Sequence, residues 1–209
     1  MFSVVEGFKS IFCSLFNIPR ISDALRRLEP PLVLHVSDTP GFSYPFIYRL
    51  AEEIQADILI HTGDLIDDIK LEIRPAELGE YTRRLKSILQ KLEKLPVKEI
   101  YLVPGNHDDT QTVMSLVNRS AVLPEKSWIE LEDYTFFLSH KFYDLPVDAD
   151  FYLFGHSLPE MTRVHPGTVV LNGIPFINII SLSTGRTYTL RYPSGTDSAR
   201  KLLLPRIGL

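Results

Sequence analysis

The sequence predicts an α/β fold in which two β-sheets pack face to face with helices outside. Three observations carry that expectation. The first half alternates short apolar runs rich in β-formers with helical periods, as parallel strands joined by crossover helices do. The second half loses the helical period and shows paired apolar runs around turn residues. The strongest of those turn signals, Asn172-Gly173, has apolar runs on both sides and reads as a β-hairpin. With 209 residues, 44% hydrophobic and 23% charged, the chain can bury such a core as one domain with appendages.

Residues 1–30 read as an N-terminal extension. Phe2, Val5, Phe8, Phe12 and Phe16 recur at helical spacing, and Pro19 and Pro30-Pro31 close the segment off. An amphipathic helix over 1–16 is expected, docked on the domain or on a second copy of the chain, so that self-association runs through it. An interfacial membrane helix is disfavoured, because Lys9 is the cation of the polar face and faces Glu6.

The domain proper is expected over 31–193. Leu32 to Ser37 reads as a strand, and Phe46, Ile47, Leu50 and Ile54 as a helix. Asp57 to Thr62 is the next strand, followed by a long amphipathic helix through Leu78, Tyr81, Leu85, Ile88, Leu92 and Leu95. Glu99 to Val103 is a third strand, and Thr110 is a candidate cap for a short helix carrying Val113, Leu116 and Val117. Trp128 to Leu131 and Tyr134 to Leu138 form a hairpin about Glu132-Asp133. Phe151 to Phe154 is a brief buried strand. Thr168 to Leu171 and Ile174 to Ile180 flank Asn172-Gly173, and Thr187 to Tyr192 adds a further strand. Residues 194–209 form a C-terminal tail.

Composition narrows the function classes. A net charge of −4 argues against duplex nucleic acid as the main partner. The single Cys13 excludes an internal disulfide and a cysteine-based zinc knuckle, and makes a reducing cytoplasm the expected compartment. No apolar run reaches the length of a transmembrane segment, and the N-terminus lacks the basic start of a signal peptide.

Five segments, each ending an apolar run, carry the chemistry: Ser37-Asp38-Thr39-Pro40-Gly41, Gly63-Asp64-Leu65-Ile66-Asp67, Gly105-Asn106-His107-Asp108, Ser139-His140 and Gly155-His156-Ser157-Leu158. Asp38, Asp64, Asn106, His140 and His156 are the side chains of a metal centre dispersed along a chain. The first three segments follow predicted parallel strands, where ligands collect in open α/β sheets.

The order and spacing resemble the calcineurin-like metallophosphoesterases, in particular their small single-domain bacterial and archaeal phosphodiesterase-like members. The pattern there is Asp-x-His, Gly-Asp-x-x-Asp, Gly-Asn-His-Asp/Glu, a later His, and Gly-His-x-His. The resemblance runs from residue 32 to about residue 190. It implies a four-layer α-β-β-α sandwich of two mixed β-sheets flanked by helices, and a two-metal centre that activates water against a phosphate ester. Carried over, it gives one complete metal site, Asp64, Asn106, His140 and His156. The other site keeps Asp38 and shares Asp64, but Pro40 and Leu158 stand where the pattern has imidazoles. His107 matches the histidine that binds phosphate or protonates the leaving group. A half-site of two carboxylates holds an ion weakly.

The remaining polar residues have plainer readings. His61, within a strand, and His35, three residues before Asp38, are expected as hydrogen-bonded core histidines, with a small chance that His35 compensates for Pro40. Glu160 could add a carboxylate, but Pro159 constrains its turn. His165 is expected in a loop, Asp67 and Asp68 as caps, and Asp108 as orienting His107. Arg163 and Arg186 are candidate phosphate contacts.

The leading expectation is metal-dependent hydrolysis of a phosphate monoester or diester by a metal-activated water. Asp38, Asp64, Asn106, His140 and His156 are the ligands, and His107 the catalytic residue. The ion expected is Mn²⁺, with Zn²⁺, Fe²⁺ or Mg²⁺ as alternatives. The rival is a weakly active or inactive scaffold of the same fold that uses the N-terminal helix for a partner.

Overall fold

Strand β1 (Leu32–Val36) is at the centre of a six-stranded sheet because it is apolar on both faces, with every residue buried. This computed structural model describes residues 19, 21–144, 148–157, 163–165 and 167–200, the last short strand segment 163–165 by its backbone. A short helix α1 (Asp23–Arg26) precedes β1. It is followed by α2 (Tyr44–Glu53), β2 (Ile58–His61), α3 (Leu78–Leu92), β3 (Glu99–Leu102), α4 (Thr110–Leu116) and β4 (Ala121–Val122). Strands β1 to β4 pair in parallel, in order along the sheet. The expected β-α-β-α-β-α order is therefore present.

The second sheet holds β5 (Ser127–Leu131), β6 (Tyr134–Leu138), β7 (Phe151–Phe154), β8 (Arg163–His165) and β9 (Thr168–Asn172), in the order β5-β6-β7-β9-β8. The chain then returns to the first sheet as β10 (Ile177–Ser181) and β11 (Thr187–Leu190), giving β11-β10-β1-β2-β3-β4. β10 runs antiparallel to β1, and β6, β7 and β9 run parallel beside antiparallel neighbours. Both sheets are mixed and helices flank them.

Alternation along the strands sets the layers. Leu32, Leu34, Leu59, Ile100 and Leu102 pack against α2 and α3 through Ile47, Leu50, Leu85 and Leu89. Val33, Ile58, Ile60 and Val103, on the opposite face, meet Phe136, Leu138, Phe151 and Leu153 of the second sheet.

Several expectations are corrected. Asn172-Gly173 is no hairpin: it joins β9 of one sheet to β10 of the other. The Asn172 side chain closes the turn itself, accepting from the Ile174 amide at 2.9 Å and donating to the Ser157 carbonyl at 2.7 Å. A strand partner for β9 is supplied by β7 and β8 instead. The cap of α4 is Asp109, whose carboxylate accepts from Thr112 N at 2.8 Å, one residue before the expected Thr110. His165 ends strand β8, so its backbone is in a strand and not a loop. Within the C-terminal segment, Thr196–Arg200 forms helix α5. The expected helix over 1–16 lies outside the described residues.

Candidate metal centre

All five segments converge at one end of the two sheets. Asp38 follows β1, Asp64 follows β2, Asn106 and His107 follow β3, His140 follows β6 and His156 follows β7. The loops are bonded in pairs beyond the strands. Asp38 N donates to Gly63 O at 2.9 Å, Thr39 N to Asp64 O at 3.0 Å, and Gly155 N to His140 O at 2.9 Å. Asp38, Asp64 and His156 all have left-handed backbones, with φ of 48°, 54° and 65°. Such conformations cost of order 1 kcal/mol or more each and persist where surrounding structure fixes them. Gly155 lets the β7 loop come close: a Cβ there would overlap Ser37 Oγ and Asp38 Oδ2.

His140 is the hub. Its Nδ1 lies 2.8 Å from the Thr62 carbonyl, which can only accept, so Nδ1 carries the proton and Nε2 of the neutral ring offers a lone pair. Around that Nε2 stand Asn106 Oδ1 at 2.9 Å, His156 Nδ1 at 3.2 Å and Asp64 Oδ2 at 3.5 Å. Asn106 is turned to present its oxygen because its Nδ2 donates to Glu72 Oε2 at 2.5 Å. Asp64 Oδ1 is taken by the His107 amide at 2.9 Å, which leaves Oδ2 for the site. Lone pairs thus converge with few protons among them. Donor atoms spaced this way suit a shared cation, whose bonds to nitrogen and oxygen are about 2.0–2.2 Å.

Electrostatics point the same way. Asp38 and Asp64 are 3% and 2% exposed, and Asp67 is fully buried. Burial first, and then the neighbouring Asp38, Asp108 and Asp67 charges, push the Asp64 carboxyl well above its ordinary range. Burial and Asp38 raise Asp67 to about 7 against the opposing pull of Lys70. Burial lowers His156, with His140 adding to the effect. Burial and then the Lys70 ammonium lower His107 to about 4, so its ring is neutral at neutral pH. Donor-type atoms of Asp38, Asp64 and His140 lie within 4.8 Å of one another, as do those of Asp64, Asp67 and His107. Crowded buried carboxylates of this kind fit a divalent cation.

Pro40 is buried with φ −61° and ψ 144° and carries no donor atom toward the site. Leu158 and Glu160 lie outside the described residues, as does the Arg163 side chain. Arg186 lies in the β10–β11 turn, where its carbonyl bonds Ser181, the residue paired with Leu32 at the start of β1. That is the opposite end of the sheet, so it does not contact phosphate here. His35 is held between Thr62 Oγ1 at 2.9 Å and Asn178 Nδ2 at 3.0 Å, and His61 among Thr39, Tyr44 and Gly63. Both are core histidines lowered by burial to about 3. Asp108 does not touch the His107 side chain. It accepts from Leu65 N, Gly105 N and Tyr81 Oη, tying the Asp64 loop to the Asn106 loop. Asp68 accepts from Gly41 N at 2.7 Å and pairs with Arg84.

Sequence reasoning missed four supporting residues. Ser37 donates to Asp38 Oδ2 at 2.6 Å. Glu72 turns Asn106 and lies 3.6 Å from His107 Nδ1. Lys70 pairs with Asp67. Arg200, from α5, is 1% exposed; it donates to the carbonyls of Asp38 (2.5 Å), Ile174 (2.7 Å) and Ser37 (3.0 Å), with its guanidinium 4.3 Å from the Tyr192 ring centre. A lone lysine or a tail arginine has no motif, and the chain partners of these four lie in loops. Two clefts, of about 260 Å³ and 210 Å³, flank the centre and share Asn106. The first is lined by Leu71, Glu72, Pro75 and Leu78, the second by Glu125, His140, Lys141 and Tyr143.

Comparison with known proteins gives the family and the fold. The sequence profile of the calcineurin-like phosphoesterases matches residues 31–205. A novel archaeal phosphodiesterase has a similar structure, with TM-score 0.51 and 16% identity over 77% of this chain and 99% of its own. Yfce, a phosphoesterase from E. coli, gives a TM-score of 0.50 and 18% identity over 77% of this chain and 98% of its own. At these identities the likeness is one of fold. No curated protein matches the chain by sequence.

Proposed function

The chain belongs to the calcineurin-like phosphoesterase family, and from that premise we propose that it hydrolyses a phosphate ester with a divalent metal held by Asp64, Asn106, His140 and His156. One observation carries the reading: the Thr62 carbonyl fixes the His140 proton on Nδ1, so that Nε2 turns its lone pair toward Asn106 Oδ1, His156 Nδ1 and Asp64 Oδ2. A bound ion would supply Lewis acidity toward a phosphoryl oxygen and lower the pKa of a water. Asp38 helps hold the fourth ligand, since its Oδ2 accepts the His156 amide at 3.0 Å.

His107 is the proposed substrate contact. Its side chain is 13% exposed and its backbone is fixed by Asp64, so the ring is held at the mouth of the centre. Being neutral, it offers one N–H to a phosphate oxygen; the substrate's own negative charge favours a second proton there, which the leaving oxygen could take. A mixed set of oxygen and nitrogen ligands suits Mn²⁺, Fe²⁺ and Zn²⁺, and Mn²⁺ is the ion to try first.

The test is chelator-stripped protein reloaded with Mn²⁺ and assayed on phosphomonoester and phosphodiester substrates. Turnover lost in Asp64→Ala and His107→Ala supports the reading; turnover equal to those variants sinks it. Pro40 favours the second reading, a scaffold that keeps the fold without the chemistry. Protein that takes up no Mn²⁺ or Zn²⁺ supports that one.

A further inference from the structure

Resting on the phosphoesterase reading, we propose that Lys70 stands in for the depleted metal: its ammonium, paired with Asp67, balances the carboxylates of the Asp38 half-site, so the centre works with one divalent ion and one lysine. The argument begins at Pro40. The residues on either side of it are bonded to one short stretch of chain. Thr39 O accepts Asp67 N at 3.1 Å, and Gly41 N donates to Asp68 Oδ1 at 2.7 Å. The stretch that approaches position 40, where the family pattern has an imidazole, therefore contains Asp67, and Lys70 is its ion-pair partner.

The pair is unlike a surface ion pair. The Asp67 side chain is fully buried and that of Lys70 is 15% exposed. Burying two charges costs several kcal/mol per ion unless each is well satisfied. Here Asp67 Oδ2 has no hydrogen-bond partner among the described residues. An arrangement chosen for stability would satisfy that oxygen. Instead a carboxylate atom of Asp67 lies within 4.8 Å of donor atoms of Asp64 and His107, so the pair belongs to the centre. The field of the Lys70 ammonium reaches the His107 ring as well.

Charge counting supports the assignment. Three buried carboxylates, Asp38, Asp64 and Asp67, face the centre, and Asp67 Oδ2 has no hydrogen-bond partner among the described residues. Asp108 is left out as a ligand, because Leu65, Gly105 and Tyr81 occupy both of its oxygens. Glu72 is excluded because its side chain is 58% exposed and screened by water. One divalent ion and one ammonium bring three positive charges to three negative ones.

Metal stoichiometry tests this without reference to activity. Full-length protein is stripped, equilibrated with saturating Mn²⁺, desalted and analysed for metal per chain, with circular dichroism and melting as folding controls. The wild type should hold one ion. Lys70→Met, which keeps the length and removes the charge, should rise to two, because Asp38, Asp64 and Asp67 become free to share a second. Lys70→Arg should stay at one. One ion in both wild type and Lys70→Met overturns the lysine inference and leaves the phosphoesterase reading standing. Two ions in the wild type also overturn it, and need no variant to fold. No ion in the wild type overturns the underlying reading.

Discussion

Asp38 and His156 meet across the two sheets: Asp38 Oδ2 accepts the His156 amide at 3.0 Å, and both residues hold left-handed backbones with φ of 48° and 65°. The first sheet thereby fixes the last histidine of the second. Asp38→Ala removes that acceptor and should weaken binding of the first ion by about 10–100-fold while leaving a centre that still binds. Asp38→Asn keeps an oxygen for the amide and should lose less. Competition against a chelator of known affinity measures both, and equal affinities for Asp38→Ala and wild type would remove Asp38 from this role.

Gly63 is a tight passage in the site with a left-handed backbone. Its φ is 103°, and a Cβ would overlap His140 Nδ1. That nitrogen is the one that bonds Thr62 O and sets the lone pair on Nε2. Gly63→Ala should cost about 1–3 kcal/mol of stability by strain and overpacking. It should cost metal affinity more than stability alone explains. Denaturant unfolding and metal titration on the same preparation separate the two effects.

Arg200 has a structural duty at the site. Replacing it by Met leaves the carbonyls of Asp38 and Ile174 buried without that donor, while Ser37 O keeps Tyr192 Oη. Each unsatisfied group costs about 1–3 kcal/mol, so a loss near or above 3 kcal/mol is expected. Urea unfolding of Arg200→Met would show it, and a loss below about 1 kcal/mol would mean that water replaces the guanidinium easily.

His35 gives a stability profile with a definite sign. Burial lowers its pKa to about 3, whereas an unfolded histidine titrates near 6.5. The folded chain therefore refuses a proton that the unfolded chain takes. Its contribution is complete above pH 6.5 and is lost as pH falls toward 3, at about 1.4 kcal/mol per pH unit. The raised carboxyls of Asp64 and Asp67 act in the opposite direction, so the comparison must be differential. His35→Gln should reduce the acid slope between pH 6 and 4.5 by about one proton relative to wild type. An unchanged slope would show that His35 is already charged in the folded state.

Much of this was legible from the chain alone. The helix through Tyr81, Leu85, Ile88 and Leu92 and the strands of the first half announced themselves by period, because their packing is local to each element. The six candidate residues stood in motif order and do converge. Asn172-Gly173 misled because a turn signal says where a chain reverses and nothing about which sheet receives it. Lys70, Glu72 and Arg200 were invisible for another reason. Glu72 meets Asn106, and Arg200 meets the Ser37, Asp38 and Ile174 carbonyls, all in other loops, contacts that no spacing encodes; Lys70 pairs with Asp67 three residues back, a spacing too common to mark a site.

The reach of Arg200 has a consequence for biosynthesis. Its bonds to Asp38 O and Ser37 O join positions 162 and 163 residues apart. Domains are generally made and folded from the N-terminal side. The loop that carries Asp38 is translated 162 residues before the side chain that completes its hydrogen bonds. Nascent chains paused before residue 200 should hold the sheets and lack this brace, so the Asp38 loop is completed only after residue 200 has been made.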